Sequence, residues 1–136
     1  VVIHCGDIGS PQIVPLFAGW PTHFVLGNVD DDESSLRWII EEEGLTFHGR
    51  FAKLTLSDKS IAVTHGDDSD LLNSAIGSGE YDFVCTGHTH QRDLRRVGRT
   101  TVVNPGALYR ANPKTFAVVE WPAGDVEFVE LRLPAT

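Results

Sequence analysis

Tyr81-Asp82-Phe83-Val84-Cys85-Thr86-Gly87-His88-Thr89-His90 is the stretch from which the rest of the chain is read. Its apolar first half predicts a buried strand over Tyr81 to Thr86, and the strand ends in a glycine and two imidazoles. In open α/β sheets the ligand crevice lies outside the carboxyl ends of the strands, so side chains placed there are candidates for chemistry. Upstream, the same arrangement recurs. A predicted strand Val1 to Cys5 ends in His4-Cys5-Gly6-Asp7, Thr22 to Gly27 runs into Gly27-Asn28-Val29-Asp30, and Ile61 to Thr64 leads to His65-Gly66-Asp67-Asp68. A fifth polar cluster, Asn104-Pro105-Gly106, follows a strand over Thr100 to Val103.

Helical segments separate the early strands. Ser10-Pro11 reads as an N-cap with proline at the first helical position, opening a short helix to about Ala18. Asp32 caps a helix with Leu36, Ile39 and Ile40 on one face, and Gly44 stops it. Ser69 is read as the cap of a third helix running to Ile76. Further strands are predicted over Leu45 to His48, Phe51 to Ser57, Asp93 to Val97, Thr115 to Trp121 and Val126 to Leu133. Parallel βαβ units come first and antiparallel hairpins after, which makes one α/β domain over residues 1–136.

Composition narrows the function. The chain has 136 residues, 41% hydrophobic and 22% charged, as expected of a globular domain. No apolar run approaches the roughly 20 residues of a membrane span, and no secretory leader opens the chain. The formal charge of -8 opposes stable nucleic-acid binding, while a small anionic substrate remains compatible if a metal supplies local positive charge. Cys5 and Cys85 read as buried, reduced thiols of a cytoplasmic protein. The chain opens without Met, directly in Val1-Val2-Ile3, and we expect sequence upstream of it.

The converging residue types suit a metal centre. Imidazole nitrogen with carboxylate and amide oxygen fits Mn, Fe, Ni or Zn, and is too nitrogen-rich for a dedicated Mg or Ca site. Asp7 is short enough to bridge two ions about 3.5–4 Å apart. Any one of these motifs is a common turn or a structural histidine; all four in this order, each after a strand, form a specific signal.

With Gly6-Asp7, Gly27-Asn28-Val29-Asp30, His65-Gly66 and Gly87-His88-Thr89-His90 in sequence, the chain resembles the calcineurin-like metallophosphoesterases, most of all their small prokaryotic phosphodiesterase branch. Asn104-Pro105-Gly106-Ala107 is similar to an Asn-Pro-Gly-Ser turn of that branch. The resemblance implies a sandwich of two mixed β-sheets flanked by helices, and hydrolysis of small phosphodiesters, or monoesters, by a metal-bound hydroxide. It implies two divalent ions, Mn foremost, with Asp7 bridging them. Asn28, His65 and His88 would complete one site and His90 would bind the other ion. Asp30 joins this group as a sixth catalytic candidate.

Three departures stand out. The family's Asp-x-His motif is absent and would lie on a strand before Val1, so the resemblance implies a truncated fold and a tendency to form homo-oligomers. Val29 stands where many relatives carry a histidine that contacts the leaving group; valine donates no proton, which favours substrates with good leaving groups. Asp67 replaces a common histidine and is expected to face solvent. These departures also keep open a second reading, a catalytically inactive protein-binding scaffold like the retromer subunit of this fold. A metallo-β-lactamase reading fails, because His88-Thr89-His90 is followed by Gln91-Arg92 rather than x-Asp. Among the remaining residues, His4 is expected to be buried and hydrogen-bonded and His23 exposed. His48 is a candidate for the cleft edge and Arg110 for contact with a substrate phosphate. Trp20, Trp38 and Trp121 read as packing residues.

Overall fold

The computed structural model describes residues 1–132 of the chain. Thirteen elements succeed one another: strand β1 (Val2–His4), a 3-10 helix (Pro11–Phe17), β2 (Thr22–Phe24), α1 (Glu33–Glu42), β3 (Thr46–Phe47), β4 (Phe51–Leu56), β5 (Lys59–Thr64), α2 (Ser69–Gly77), β6 (Phe83–Cys85), β7 (Arg92–Val97), β8 (Thr100–Pro105), β9 (Lys114–Glu120) and β10 (Asp125–Leu131). They match the expected order, with strand ends shifted by one to three residues. The final predicted strand was drawn to Leu133, which lies outside the described residues.

Three hydrogen-bonded sheets result. The first is β1-β2-β3, parallel throughout; the second is β4-β5-β6-β8-β7, mixed; and β9 with β10 forms an antiparallel ribbon. In the mixed sheet β5, β6 and β8 run parallel while β4 and β7 pair antiparallel at its edges. The sandwich therefore holds as an architecture, with two refinements among the described residues: its first sheet is purely parallel, and β9 with β10 stands as a separate ribbon rather than as part of a two-sheet arrangement.

Side-chain alternation sorts the layers. On β5, Ile61 and Val63 enter the core between the sheets, while Ala62 between them faces α2. On β6 and β8 the same parity sends Phe83 and Val103 to the central core and Val84 and Val102 to the helix side. Val25, Ile3 and Cys5 close the central core from the first sheet, and Trp121 and Val126 close it from the ribbon. The other face of the first sheet packs Phe24 and Leu26 on Val14 of the 3-10 helix and on Leu36 and Ile40 of α1. Each such fully buried side chain contributes about 1.5–3 kcal/mol relative to exposure.

Local chemistry corrects several expectations. The short first helix forms where expected, capped by Ser10, and winds as 3-10, with Pro15 inside it, where proline removes an i→i−4 hydrogen bond. Asp68, not Ser69, caps α2: its backbone is extended and its carboxylate accepts from the Leu71 amide. Trp20 and Trp38 are exposed rather than packed, at 56% and 63%. Trp121 does pack, its ring centroid 5.1 Å from that of Phe83 and its Nε1 donating to the Leu56 carbonyl. No helix among the described residues is long and apolar enough to cross a membrane.

Candidate metal centre

The parallel strands β1, β2, β5 and β6 deliver their carboxyl-end loops to one edge. The loop after β1 turns at Gly6 and Asp7, both with positive φ, of 96° and 56°. Gly6 is obligatory there. A Cβ on it would stand 2.8 Å from both the Gly27 nitrogen and His65 Nδ1, closer than real contacts allow. Gly27 is equally constrained, because a Cβ would collide with the carboxylate and amide of Asp7. Two glycines thus let the loops after β1 and β2 touch.

Asp30 ties those loops together. It is buried, and its carboxylate accepts from the amides of Ile8 (3.1 Å), Gly9 (3.0 Å) and Gly27 (2.8 Å). Both oxygens are therefore engaged by backbone. This geometry gives Asp30 a positioning role, in place of the catalytic one suggested from the sequence.

His65 is the hub. Its side chain is buried, and its Nδ1 lies 2.7 Å from the Cys5 carbonyl oxygen. A carbonyl only accepts, so Nδ1 carries the proton and Nε2 of the neutral ring presents a lone pair. Around Nε2 stand Asn28 Oδ1 at 3.0 Å, Asp7 Oδ2 at 3.2 Å and His88 Nδ1 at 3.3 Å. The two oxygens are acceptors, and His88 Nδ1 accepts or donates according to its tautomer. A second proton on His65 would satisfy one or two of them, whereas a cation in their midst satisfies all. Ligands bonded at about 2.0–2.2 Å to one transition-metal ion lie roughly 3.0–3.4 Å from each other, which matches these separations. The remaining Asp7 oxygen, Oδ1, accepts from the Val29 amide at 3.2 Å.

The loop after β6 is strained where the chemistry sits. His88 and His90 adopt φ of 70° and 62°, a region that costs a non-glycine residue about 1–3 kcal/mol and is concentrated at functional sites. Asn104 supports the loop from β8: buried, it donates through Nδ2 to the Gly87 carbonyl (2.9 Å) and the Thr89 hydroxyl (3.1 Å). The sequence flagged the Asn104 turn as a polar cluster but not this clamp. His88 joins the hub, its ring 5.1 Å from that of His65 and nearly perpendicular. His90 does not; its Nδ1 lies 3.3 Å from the Arg110 carbonyl oxygen. Counting only His, Cys, Asp and Glu, no group of three or more among the described residues is arranged to hold an ion. Asp7, His65 and His88 therefore do not form such a group by themselves; the Asn28 oxygen lies beside them and His90 stands apart, so the donor set is a partial one.

This assembly matches known proteins along nearly its whole length. A family model described as the calcineurin-like phosphoesterase superfamily domain matches residues 1–124. The chain belongs to the calcineurin-like phosphoesterase superfamily. Among its superfamily relatives is the phosphodiesterase MJ0936 of Methanocaldococcus jannaschii, 36% identical over an alignment of 110 residues that covers 77% of this chain and 65% of that protein. The chain thus spans a little under two thirds of that relative's length. The solved structure of an archaeal phosphodiesterase superposes with a TM-score of 0.87 at 28% identity, covering 96% of this chain and 82% of the other. A Vps29 variant from Entamoeba histolytica shares the superfamily fold, with a TM-score of 0.67 at 18% identity over 96% of this chain and 82% of that one.

Other residues fall into place around the centre. His4 accepts from the Gly6 amide at 3.2 Å and stacks on Phe24, and burial holds its pKa down, as expected of a structural histidine. His23 is half-buried rather than exposed. His48 meets it with a 2.8 Å Nδ1–Nε2 contact and stacked rings, so the two form a pair on the first sheet. Asp67 is exposed, as expected. Cys5 and Cys85 are free thiols, and burial pushes their pKa up, Cys85 to about 12.

Proposed function

We propose that this chain is a metal-dependent phosphoesterase acting on small phosphodiesters, with monoesters as secondary substrates. The observation that carries the reading is the gathering of Asp7, Asn28 and His88 within 3.3 Å of His65 Nε2. These four residues would hold one divalent ion, of Mn, Fe, Ni or Zn, and His90 with Asp7 would contribute to a second. The ions would supply positive charge against the phosphoryl oxygens and acidify a water. Without that charge a chain of formal charge -8 repels an anionic substrate.

The chain's own residues set what the site accepts. The carbonyl of Cys5 fixes the tautomer of His65 and leaves Nε2 free to coordinate, a function that outer-shell acceptors serve in metal sites generally. Asp30 and Asn104 hold the loops in register. Val29, 53% exposed and bonded through its amide to Asp7, presents an apolar side chain with no proton to give. The leaving group therefore departs without an acid from this position, which favours phenolic or other weakly basic leaving groups. Cys5 and Cys85 are free thiols, and the reading places the chain in the cytoplasm. Stable nucleic-acid or membrane binding is not part of this reading, and homo-oligomer formation is.

The test is hydrolysis of bis-p-nitrophenyl phosphate with added Mn²⁺, against a chelator control and Asp7→Asn. Nitrophenol release should require metal and fall on the order of 100-fold in the variant. Metal-independent release, or full activity in Asp7→Asn, would sink the proposal. Metal bound without turnover would favour the scaffold reading.

A further inference from the structure

The loop between β8 and β9 carries a feature that the metal centre does not use. Its base is pinned: the Thr115 amide donates to the Ala107 carbonyl at 3.1 Å, and the Thr115 hydroxyl donates to the Pro105 carbonyl at 2.8 Å. Its tip is not. Leu108 and Tyr109 are 53% and 70% exposed, large apolar groups held out in solvent. Arg110 follows with φ of 52°, a left-handed conformation uncommon for arginine. An observed outlier of that kind points to a positional demand. The demand is visible, because the Arg110 carbonyl turns in to meet His90 Nδ1 at 3.3 Å. The side chain lies along Tyr109, with the guanidinium carbon 5.2 Å from the ring centroid.

From this we infer that Tyr109 and Arg110 form the substrate-side wall of the phosphoesterase site, an inference that rests on the function proposed above. The wall takes diesters with an aryl or nucleoside group: the Tyr109 ring stacks on that group, and the Arg110 guanidinium pairs with a non-bridging phosphate oxygen. Three features converge. Arg110 is anchored beside His90 by its own carbonyl, which keeps its side chain within reach of that imidazole. A cation–π contact between two exposed groups is worth only about 0.5–1 kcal/mol, so an incoming ring and phosphate displace it readily. Finally, the loops after β2 and β5 are acidic, with Asp30 to Glu33 in one and Asp67, Asp68 and Asp70 after the other. Against that background a guanidinium is a local attractor for a phosphate, which it grips with a planar fork of donors. Arg110, suggested from the sequence as a phosphate contact, thus gains a partner and a reason for its backbone geometry.

Steady-state kinetics on two diesters with the same leaving group separate the roles. These are bis-p-nitrophenyl phosphate, which has a second ring, and methyl p-nitrophenyl phosphate, which lacks one. Tyr109→Ala should raise KM for the first about tenfold, equal to 1.4 kcal/mol, and leave the second within twofold. Arg110→Gly keeps the left-handed backbone and the carbonyl on His90 but removes the charge; it should raise KM for both by about tenfold or more with kcat little changed. Arg110→Lys should recover part of that loss. A metal-free readout runs beside this. In ¹⁵N-labelled protein with chelator present, the Arg110 Nε–H resonance should move as bis-p-nitrophenyl phosphate is titrated. Unchanged KM values in both variants of an active enzyme would overturn the wall and leave the phosphoesterase reading standing. If the wild type turns over neither diester, the phosphoesterase reading fails, and an unmoved Nε–H resonance then overturns the wall as well.

Discussion

Replacing Asp30 by alanine would remove the tie between the loops after β1 and β2, and its cost follows from the contacts. Three amides lose their acceptor. Gly9 is exposed, so water replaces the carboxylate there, but Ile8 and Gly27 are buried. Each orphaned buried N–H costs about 1–3 kcal/mol, giving roughly 2–6 kcal/mol, and we take about 4. Set against the ~5–15 kcal/mol of a typical domain, this is a large fraction of total stability. Asp30→Asn keeps one acceptor oxygen and turns an NH2 toward the other donors, so it should cost about half as much, near 2 kcal/mol. The assay is urea unfolding followed by tryptophan fluorescence, comparing midpoints at unchanged m value. If Asp30→Ala falls within about 1 kcal/mol of the wild type, the positioning argument is wrong and Asp30 returns as a catalytic candidate.

Two further outcomes are expected. Gly27→Ala places a methyl group against the Asp7 carboxylate, so it should weaken Mn²⁺ affinity at least tenfold, on the order of an outer-shell defect, while far-ultraviolet circular dichroism stays near wild type; unchanged affinity would contradict the close approach. Burial holds the pKa of His23 and of His48 below the ordinary value of 6.5, with His23 adding to the effect on His48. The unfolded chain therefore takes up protons first, so this contribution to stability is present above about pH 6.5 and is lost as pH falls through the lower folded values. Urea midpoints measured from pH 8 to 5 should decline less steeply in His23→Gln than in the wild type, and parallel declines would show that the pair is not responsible.

Much of this was legible because parallel strands place their carboxyl-end loops together whatever their separation in sequence. Asp7, Asn28, His65 and His88 lie up to 81 positions apart, yet each follows a recognisable apolar run, and the structure draws all four to one nitrogen. Trp38 was misread for want of one more step: it sits two residues from both Leu36 and Ile40, about 200° around a helix, and so faces away from the core they share. The Asp68 cap was hidden by three consecutive candidates, Asp67, Asp68 and Ser69, which only backbone dihedrals distinguish. Other features depend on register, which sequence does not carry. The His23–His48 contact arises because β2 and β3 run parallel with His23 opposite Thr46, and the Asn104 clamp because β8 lies beside β6. His90 was grouped with the other donors by its motif. In the structure its left-handed backbone turns it to Arg110, a relation that links β7's leading loop to the β8–β9 loop and has no local signature.

If the donors gathered around His65 Nε2 are metal ligands, a divalent cation binds among them. Calorimetric titration of Mn²⁺ into the chelator-treated protein near pH 7.5, alongside His65→Gln and Asp7→Asn, tests it most directly. The account predicts a saturable binding event in the wild type that weakens by at least tenfold in each variant. Binding of equal strength in all three proteins, or none in the wild type, would contradict it.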